Sequence, residues 1–251
     1  MPTIESPAKL TLTLAVAGVR EDGYHLIDAQ MVSLDICDLI TIEDASSTSI
    51  TVDGPYSAGV PTDESNLVHK ALVLAGRTAT VHITKNIPHG GGLGGGSTNA
   101  ATILRWAEFH DREAASRIGA DIPFCMVGGR AQVGGIGEIV HPLEFIPRDI
   151  TLFIPPVHVP TPAVYRMWDA MGGPESDYDN DLEPAALAAV PALSQWRDRI
   201  ENVIGQRPRL AGSGATWFVH GHVEIPVDSL GECAFVHTKT RPDAGRVLSL
   251  G

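Results

Sequence analysis

Ile87-Pro-His-Gly-Gly-Gly-Leu-Gly-Gly-Gly-Ser-Thr-Asn-Ala-Ala101 sets six glycines between two ordered-looking segments. Ahead of it, Val81 to Ile87 alternates like a strand; behind it, Ala100-Ala101-Thr102-Ile103-Leu104 reads as a helix. Ser97, Thr98 and Asn99 are natural N-cap residues for that helix. Glycine has no Cβ, so successive backbone N–H groups can turn inward onto an anion. A glycine loop feeding a helix N-terminus therefore predicts a phosphate cradle. A flexible linker would share the composition but not the flanking strand and helix. A P-loop would need Gly-Lys-Ser/Thr at the loop end, where no lysine stands. A dinucleotide fingerprint is matched formally by Gly90, Gly92 and Gly95, with Asp111 about twenty residues on. That acid should end a buried strand, and Arg105 to Arg112 does not read as one.

Composition bounds the rest. The chain has 251 residues, 43% apolar and 19% charged, enough for one large domain or two small ones with a full core. Its net charge of −12 argues against nucleic-acid or anionic-membrane partners. Any phosphate site must then rely on backbone donors and a few lysines. Cys37, Cys125 and Cys233 are widely spaced and follow neither disulfide nor zinc spacing. Met-Pro-Thr-Ile-Glu-Ser has no signal-peptide character, and no apolar run approaches the ~20 residues of a membrane span. The expectation is a soluble, cytoplasmic protein.

Outward from the loop, Leu10 to Val19 reads as a strand ending in the turn Arg20-Glu-Asp-Gly23. Short strands are expected at Met31–Leu34, Asp38–Glu43 and Ser49–Asp53, with turn residues between them. Ser65 to Ala75 reads as a helix capped by Asp63 or Ser65, and residues 118–139 as a Gly-rich, strand-like block. Beyond Pro147 a strand begins at Thr151, prolines lead into an Ala163–Met171 helix, and Leu182 to Ile204 is helical with a break at Pro191. A glycine turn at 211–214 couples to a strand, Gly231 to Lys239 is the last strand, and the tail after Arg241 is expected to be loose. Mixed strands with helices on one side predict two α+β layers, with a boundary within residues 144–148.

Three further stretches could carry chemistry. Pro7-Ala-Lys9-Leu-Thr11 puts a lysine in an apolar strand, where burial is costly without a partner. Gly119-Ala-Asp121-Ile-Pro123 holds a lone acid in an apolar stretch, open also to a plain turn or N-cap role. Leu210-Ala-Gly-Ser-Gly-Ala215 alone would be an ordinary tight loop. In this order, with the glycine loop, they resemble the three motifs of the GHMP small-molecule kinases. Within that family the likeness is to the branch acting on a cytidyl-diphosphate alcohol. It is carried by Arg20-Glu-Asp-Gly-Tyr-His25, Gly-Ala-Asp-Ile-Pro-Phe124, Gly135-Ile-Gly-Glu138, Val159-Pro-Thr-Pro162 and Asn180-Asp-Leu-Glu-Pro184.

The resemblance implies an α+β, two-domain GHMP kinase fold. Residues 1–146 would form a βαβ-type N-terminal domain, and residues 147–251 a ferredoxin-like C-terminal domain. It implies that Asp121 is the catalytic carboxylate that takes or orients the substrate hydroxyl proton. Lys9 would pair with its charge and favour the nascent alkoxide. ATP would be held by Pro88, Gly90, Gly91, Gly92, Leu93, Gly94, Gly95, Gly96, Ser97 and Thr98, with Asn66, Lys85 and Asn99 around the nucleotide. Tyr24, His25 and Tyr165 would take the cytosine end, with Thr11, Ile136 and Thr161 lining the substrate pocket. Gly212, Ser213 and Gly214 form the third motif. Mg²⁺ would arrive with ATP, with no dedicated protein metal site. The implied partners are small molecules, and the implied state a monomer or weak homodimer. The sequence departs from the family at Thr11, where asparagine is usual, and a hydroxyl cannot reproduce an amide's paired donor and acceptor. The segments 66–80 and 99–119 are also shorter than the family tends to have. Other small alcohols of the homoserine or mevalonate type, and a catalytically silent nucleotide binder, are the competing readings. Tyr24-His25 and the retained Lys9 and Asp121 weigh against them.

Overall fold

The structure is a computed structural model that describes residues 1–88 and 91–248. Two long antiparallel strands form its spine, β1 (Thr3–Val19) and β2 (His25–Asp44). They are followed by β3 (Ser49–Asp53), α1 (Leu67–Leu74), β4 (Ala79–Thr84) and α2 (Gly95–Trp106), then α3 (Arg112–Ser116) and α4 (Ile122–Val127). Next come β5 (Arg130–Gly135), β6 (Ile139–Pro142) and β7 (Asp149–Ile154). Helices α5 (Thr161–Ala170), α6 (Leu182–Ala189) and α7 (Ala192–Ile204) lead to β8 (Arg209–Leu210), β9 (Trp217–His220), β10 (Ala234–Arg241) and β11 (Val247–Leu248).

The strand expected as several short pieces is one. β2 stays continuous because three different strands use successive parts of it: β5 pairs with Ile27–Val32, β10 with Ser33 and Leu34, and β4 with Leu39–Asp44. Its mid-strand acids, Asp35 in the expected break and Asp38 at the expected start of the next strand, lie within it and are both bonded. Asp35 accepts from the Thr238 hydroxyl and the Lys239 amide, and Asp38 is fully buried among donors. The sheet order β11-β1-β2-β10-β7-β9-β8 makes β10 the seam between the first half of the chain and the antiparallel β7, β9 and β8. The α+β expectation holds.

Four local expectations change. The strand-like reading of residues 118–127 gives way to α4, whose Pro123 stands in the first turn, where a missing N–H costs nothing. Helix α1 is capped by Asn66, not Asp63 or Ser65: its Oδ1 accepts from the Val68 amide at 2.8 Å. Helix α2 begins at Gly95, so Ser97, Thr98 and Asn99 lie inside it, and left-handed Gly94 takes the cap position. The tail after Arg241 is tied down: Val247 and Leu248 pair with β1, and Arg241 meets Glu5 at 2.8 Å.

Apolar packing fixes the glycine loop at both ends. Ile87 and Leu93 are buried in a cluster with Ala8, Leu10 and Leu12 of β1, Ile150 and Leu152 of β7, and Phe218 of β9. Each such side chain contributes about 1.5–3 kcal/mol on burial. The loop is therefore anchored against both halves of the chain.

Candidate active site

Lys9 is seated by the loop it serves. Its amide donates to the Leu93 carbonyl at 2.9 Å, and its stem lies against Gly94. A Cβ at Gly94 would stand 2.6 Å from Lys9 Cγ, and φ of +69° there disfavours any side chain. The Lys9 ammonium, 3.0 Å from Asp121 Oδ2, also donates to the Thr11 hydroxyl at 3.3 Å. Asp121 precedes α4 but makes no side-chain cap bond, which leaves its carboxylate to face Lys9. The partner that a buried lysine requires and the alternative of a capping aspartate are settled by one ion pair. Its members differ in exposure: the Lys9 side chain is 7% exposed and that of Asp121 31%.

This pair lies in a cleft of about 670 Å³. Gly92 and Ser97 of the glycine loop and Gly212 and Ser213 of the third motif line it, with Thr11. The two glycine motifs meet through the Thr216 amide, which donates to the Gly91 carbonyl at 3.2 Å. Asn180 shapes the third motif by donating from Nδ2 to the Leu210 and Gly212 carbonyls at 2.9 and 2.8 Å. Its Oδ1 accepts from the Leu182 amide. Thr161 reaches Ser213, hydroxyl to hydroxyl, at 2.8 Å.

The other end of the cleft is aromatic. Tyr165 packs on His25 with ring centres 4.7 Å apart, and Trp168 meets His25 edge-on at 5.5 Å. His25 Nε2 lies 2.7 Å from Asp169. Tyr24 is 58% exposed at the rim, and Ile136 lines the wall with its amide bonded to Glu138. Burial, with the Asp121 charge adding to it, pushes the Tyr165 hydroxyl up to about 12, so it serves as a neutral surface at physiological pH.

The remaining expected residues fall behind this face. Asn66 is buried, with both ends of its amide bonded within its own segment. Lys85, Pro88, Leu93, Thr98 and Asn99 are buried around the loop, Gly96 is exposed, and Gly214 bonds back to Ala211. Gly90 lies outside the described residues. Sequence reasoning assigned no role to Asp38, Asn180, Arg166 or Asp169, the last two of which line the cleft. An acid inside an apolar strand was the available signal for Asp38. No group of three or more metal-ligating side chains comes together among the described residues, and no helix among them is long and apolar enough to cross a membrane.

Residues 66–129 match the family GHMP kinases N terminal domain. The chain is 36% identical to a 4-diphosphocytidyl-2-C-methyl-D-erythritol kinase of Dinoroseobacter shibae, over 95% of this chain and 91% of that one. It is also 36% identical to the protein of that name from Paracoccus denitrificans, over 85% and 84% of the two chains. A crystal structure of 4-(cytidine 5'-diphospho)-2C-methyl-D-erythritol kinase resembles it with a TM-score of 0.73 at 30% identity, covering 95% of this chain and 98% of that one. Homoserine kinase from Cytophaga hutchinsonii, at 16% identity and a TM-score of 0.64 over 98% and 97% of the chains, shares the fold.

Proposed function

Because this chain belongs to the 4-diphosphocytidyl-2-C-methyl-D-erythritol kinase family of GHMP kinases, we propose that it is that ATP-dependent kinase of isoprenoid precursor synthesis. It transfers the γ-phosphoryl group of ATP to the 2-hydroxyl of the cytidyl-diphosphate alcohol. The observation that carries the reading is the Lys9–Asp121 pair, 3.0 Å apart in a cleft between glycine loop and aromatic wall.

Asp121 accepts the hydroxyl proton as the oxygen attacks the γ-phosphorus, and ADP leaves with the bond to its β-phosphate oxygen. Lys9 lies where negative charge gathers on the attacking oxygen. Positioning and charge neutralisation are most of what phosphoryl transfer asks of a protein. The first turn of α2, which has no side-chain cap bond, and the glycine loop receive the phosphates, with Ser97 lining the cleft. Lys85 and Asn99 support that loop from beneath. The donor set suits a Mg²⁺ held chiefly by ATP, since hydroxyls such as that of Ser97, and no carboxylate cluster, stand by the loop among the described residues. Such an ion would supply further neutralisation of the phosphates.

Tyr24, His25 and Tyr165 take the cytosine, and Thr11, Ile136 and Thr161 line the path to the reacting hydroxyl. Residues 1–146 and 147–251 act as two units with this cleft between them. The protein works in the cytoplasm as a monomer or weak homodimer. ADP release with ATP and Mg²⁺ tests the reading, comparing the cytidyl-diphosphate alcohol with homoserine and mevalonate. Turnover should be confined to the first; equal turnover of either competitor, or none of all three, would overturn the substrate assignment.

A further inference from the structure

Beneath the glycine loop lies a second lysine–aspartate pair that the chemistry above leaves unused. Asp38 on β2 is fully buried, and Lys85, just past β4, is 3% exposed. The Lys85 ammonium donates to Asp38 Oδ2 and, at 3.1 Å, to Asn99 Oδ1. Asn99 Nδ2 donates to the same Asp38 oxygen at 2.9 Å and to the Ser6 hydroxyl at 3.0 Å. Asp38 Oδ1 accepts from the amides of Asn86 and Ile87 at 2.7 and 2.8 Å. One carboxylate thus gathers four donors from both flanks of the loop, Lys85 to Ile87 entering it and Asn99 near the start of the helix leaving it.

The loop is built around this contact. A Cβ on Gly95 would stand 3.0 Å from the Lys85 ammonium, so the missing side chain lets that charge sit against the start of α2. A cation at the positive end of a helix is unfavourable alone. The Asp38 carboxylate offsets it. Neither Asp38, Lys85 nor Asn99 lines the cleft.

We propose that Asp38 is a positioning residue for phosphoryl transfer. It clasps the two ends of the glycine loop in the geometry that receives the nucleotide phosphates, and Lys85 acts through it instead of reaching the nucleotide. The inference rests on the kinase reading, but its test does not depend on the alcohol. ADP with Mg²⁺ is titrated calorimetrically into the wild type, Asp38→Asn, Lys85→Met and the double variant. Each single variant should lose roughly tenfold in ADP affinity, with the alcohol KM within about twofold. Lys85→Met should cost no more than about twofold further once Asp38 is asparagine. Additive losses would mean that Lys85 touches the nucleotide itself, and unchanged ADP affinity in a folded double variant would mean that the clasp does nothing; either overturns the proposal.

Should the single variants fail to fold, the double variant, which buries no unpaired charge, still gives the ADP arm. Hydrogen exchange on the wild type needs no variant at all. The Asn86 and Ile87 amides should exchange about a hundredfold slower than those of Gly94 to Gly96 before any nucleotide is added. Equal rates would break the proposal. A wild type that binds ADP yet phosphorylates no alcohol would count against the substrate assignment alone.

Discussion

Two lysine–aspartate pairs flank the same loop and do opposite things. The Lys9 and Asp121 side chains are 7% and 31% exposed; those of Lys85 and Asp38 are 4% and 0% exposed. In the first, the carboxylate turns one side to a cleft, where a hydroxyl can reach it. In the second, lone pairs of both oxygens are committed to Lys85, Asn99, Asn86 and Ile87. Identical side chains are left open to a ligand or committed to architecture according to how many of their bonds are already made. A buried pair holds geometry well but adds little net stability over apolar packing, whereas removing one partner is expensive.

The comparison can be broken by exchanging the two effects. Asp121→Asn should lower kcat by about 10²–10⁴-fold while the ATP KM changes little, because on the proposed reading the lost group acts on the transferring proton. A kcat loss matched by a rise in ATP KM would make Asp121 a binding residue instead. Lys85→Met should do the reverse and destabilise the fold by about 3 kcal/mol in urea unfolding, since it strands a fully buried carboxylate. A cost below about 0.5 kcal/mol would place that pair among the surface type and dissolve the contrast.

Smaller effects sharpen it. Gly94→Ala meets both a left-handed backbone and the Lys9 stem 2.6 Å away, so about 1–2 kcal/mol of strain should appear in stability and in kcat together. The least perturbed readout is Cys125, a thiol that burial pushes up to about 12, with the Asp121 charge adding to the rise and Lys9 opposing it. Thiolate is then roughly one part in ten thousand at pH 8, and iodoacetamide should label Cys125 only as the protein opens. Asp121→Asn removes a negative charge and so lowers this thiol, but burial dominates and labelling should stay slow. Rapid labelling of the folded variant would show that the Lys9–Asp121 pair, not burial, guards this thiol.

What could be read from residues alone follows how local each signal is. Six glycines leading into a helix, a lysine in an apolar strand and an acid between glycine and proline are each visible within a few residues. Their joint order pointed to Lys9, Asp121 and the third motif, and the structure brings these together. Asp38 was hidden because its donors stand 47 to 61 positions away along the chain. The unbroken length of β2 was hidden for the same reason, since the strands that sustain it are spread along the chain from β1 to β10. Asn180 reads as a loop asparagine until the carbonyls of Leu210 and Gly212 are placed against it.

The seam at β10 has a consequence for how the protein comes into being. β1 and β2 leave the ribosome well before β10 and β11, which pair with them. Until residues 234–248 emerge, β1 lacks its β11 partner, and β2 presents a gap at Ser33 and Leu34. Pairings of such long sequence separation close slowly, and unpaired edges invite association meanwhile. That half of the sheet is therefore completed only once β10 and β11 have emerged, and a nascent chain stalled before β10 is an incomplete sheet in search of an edge.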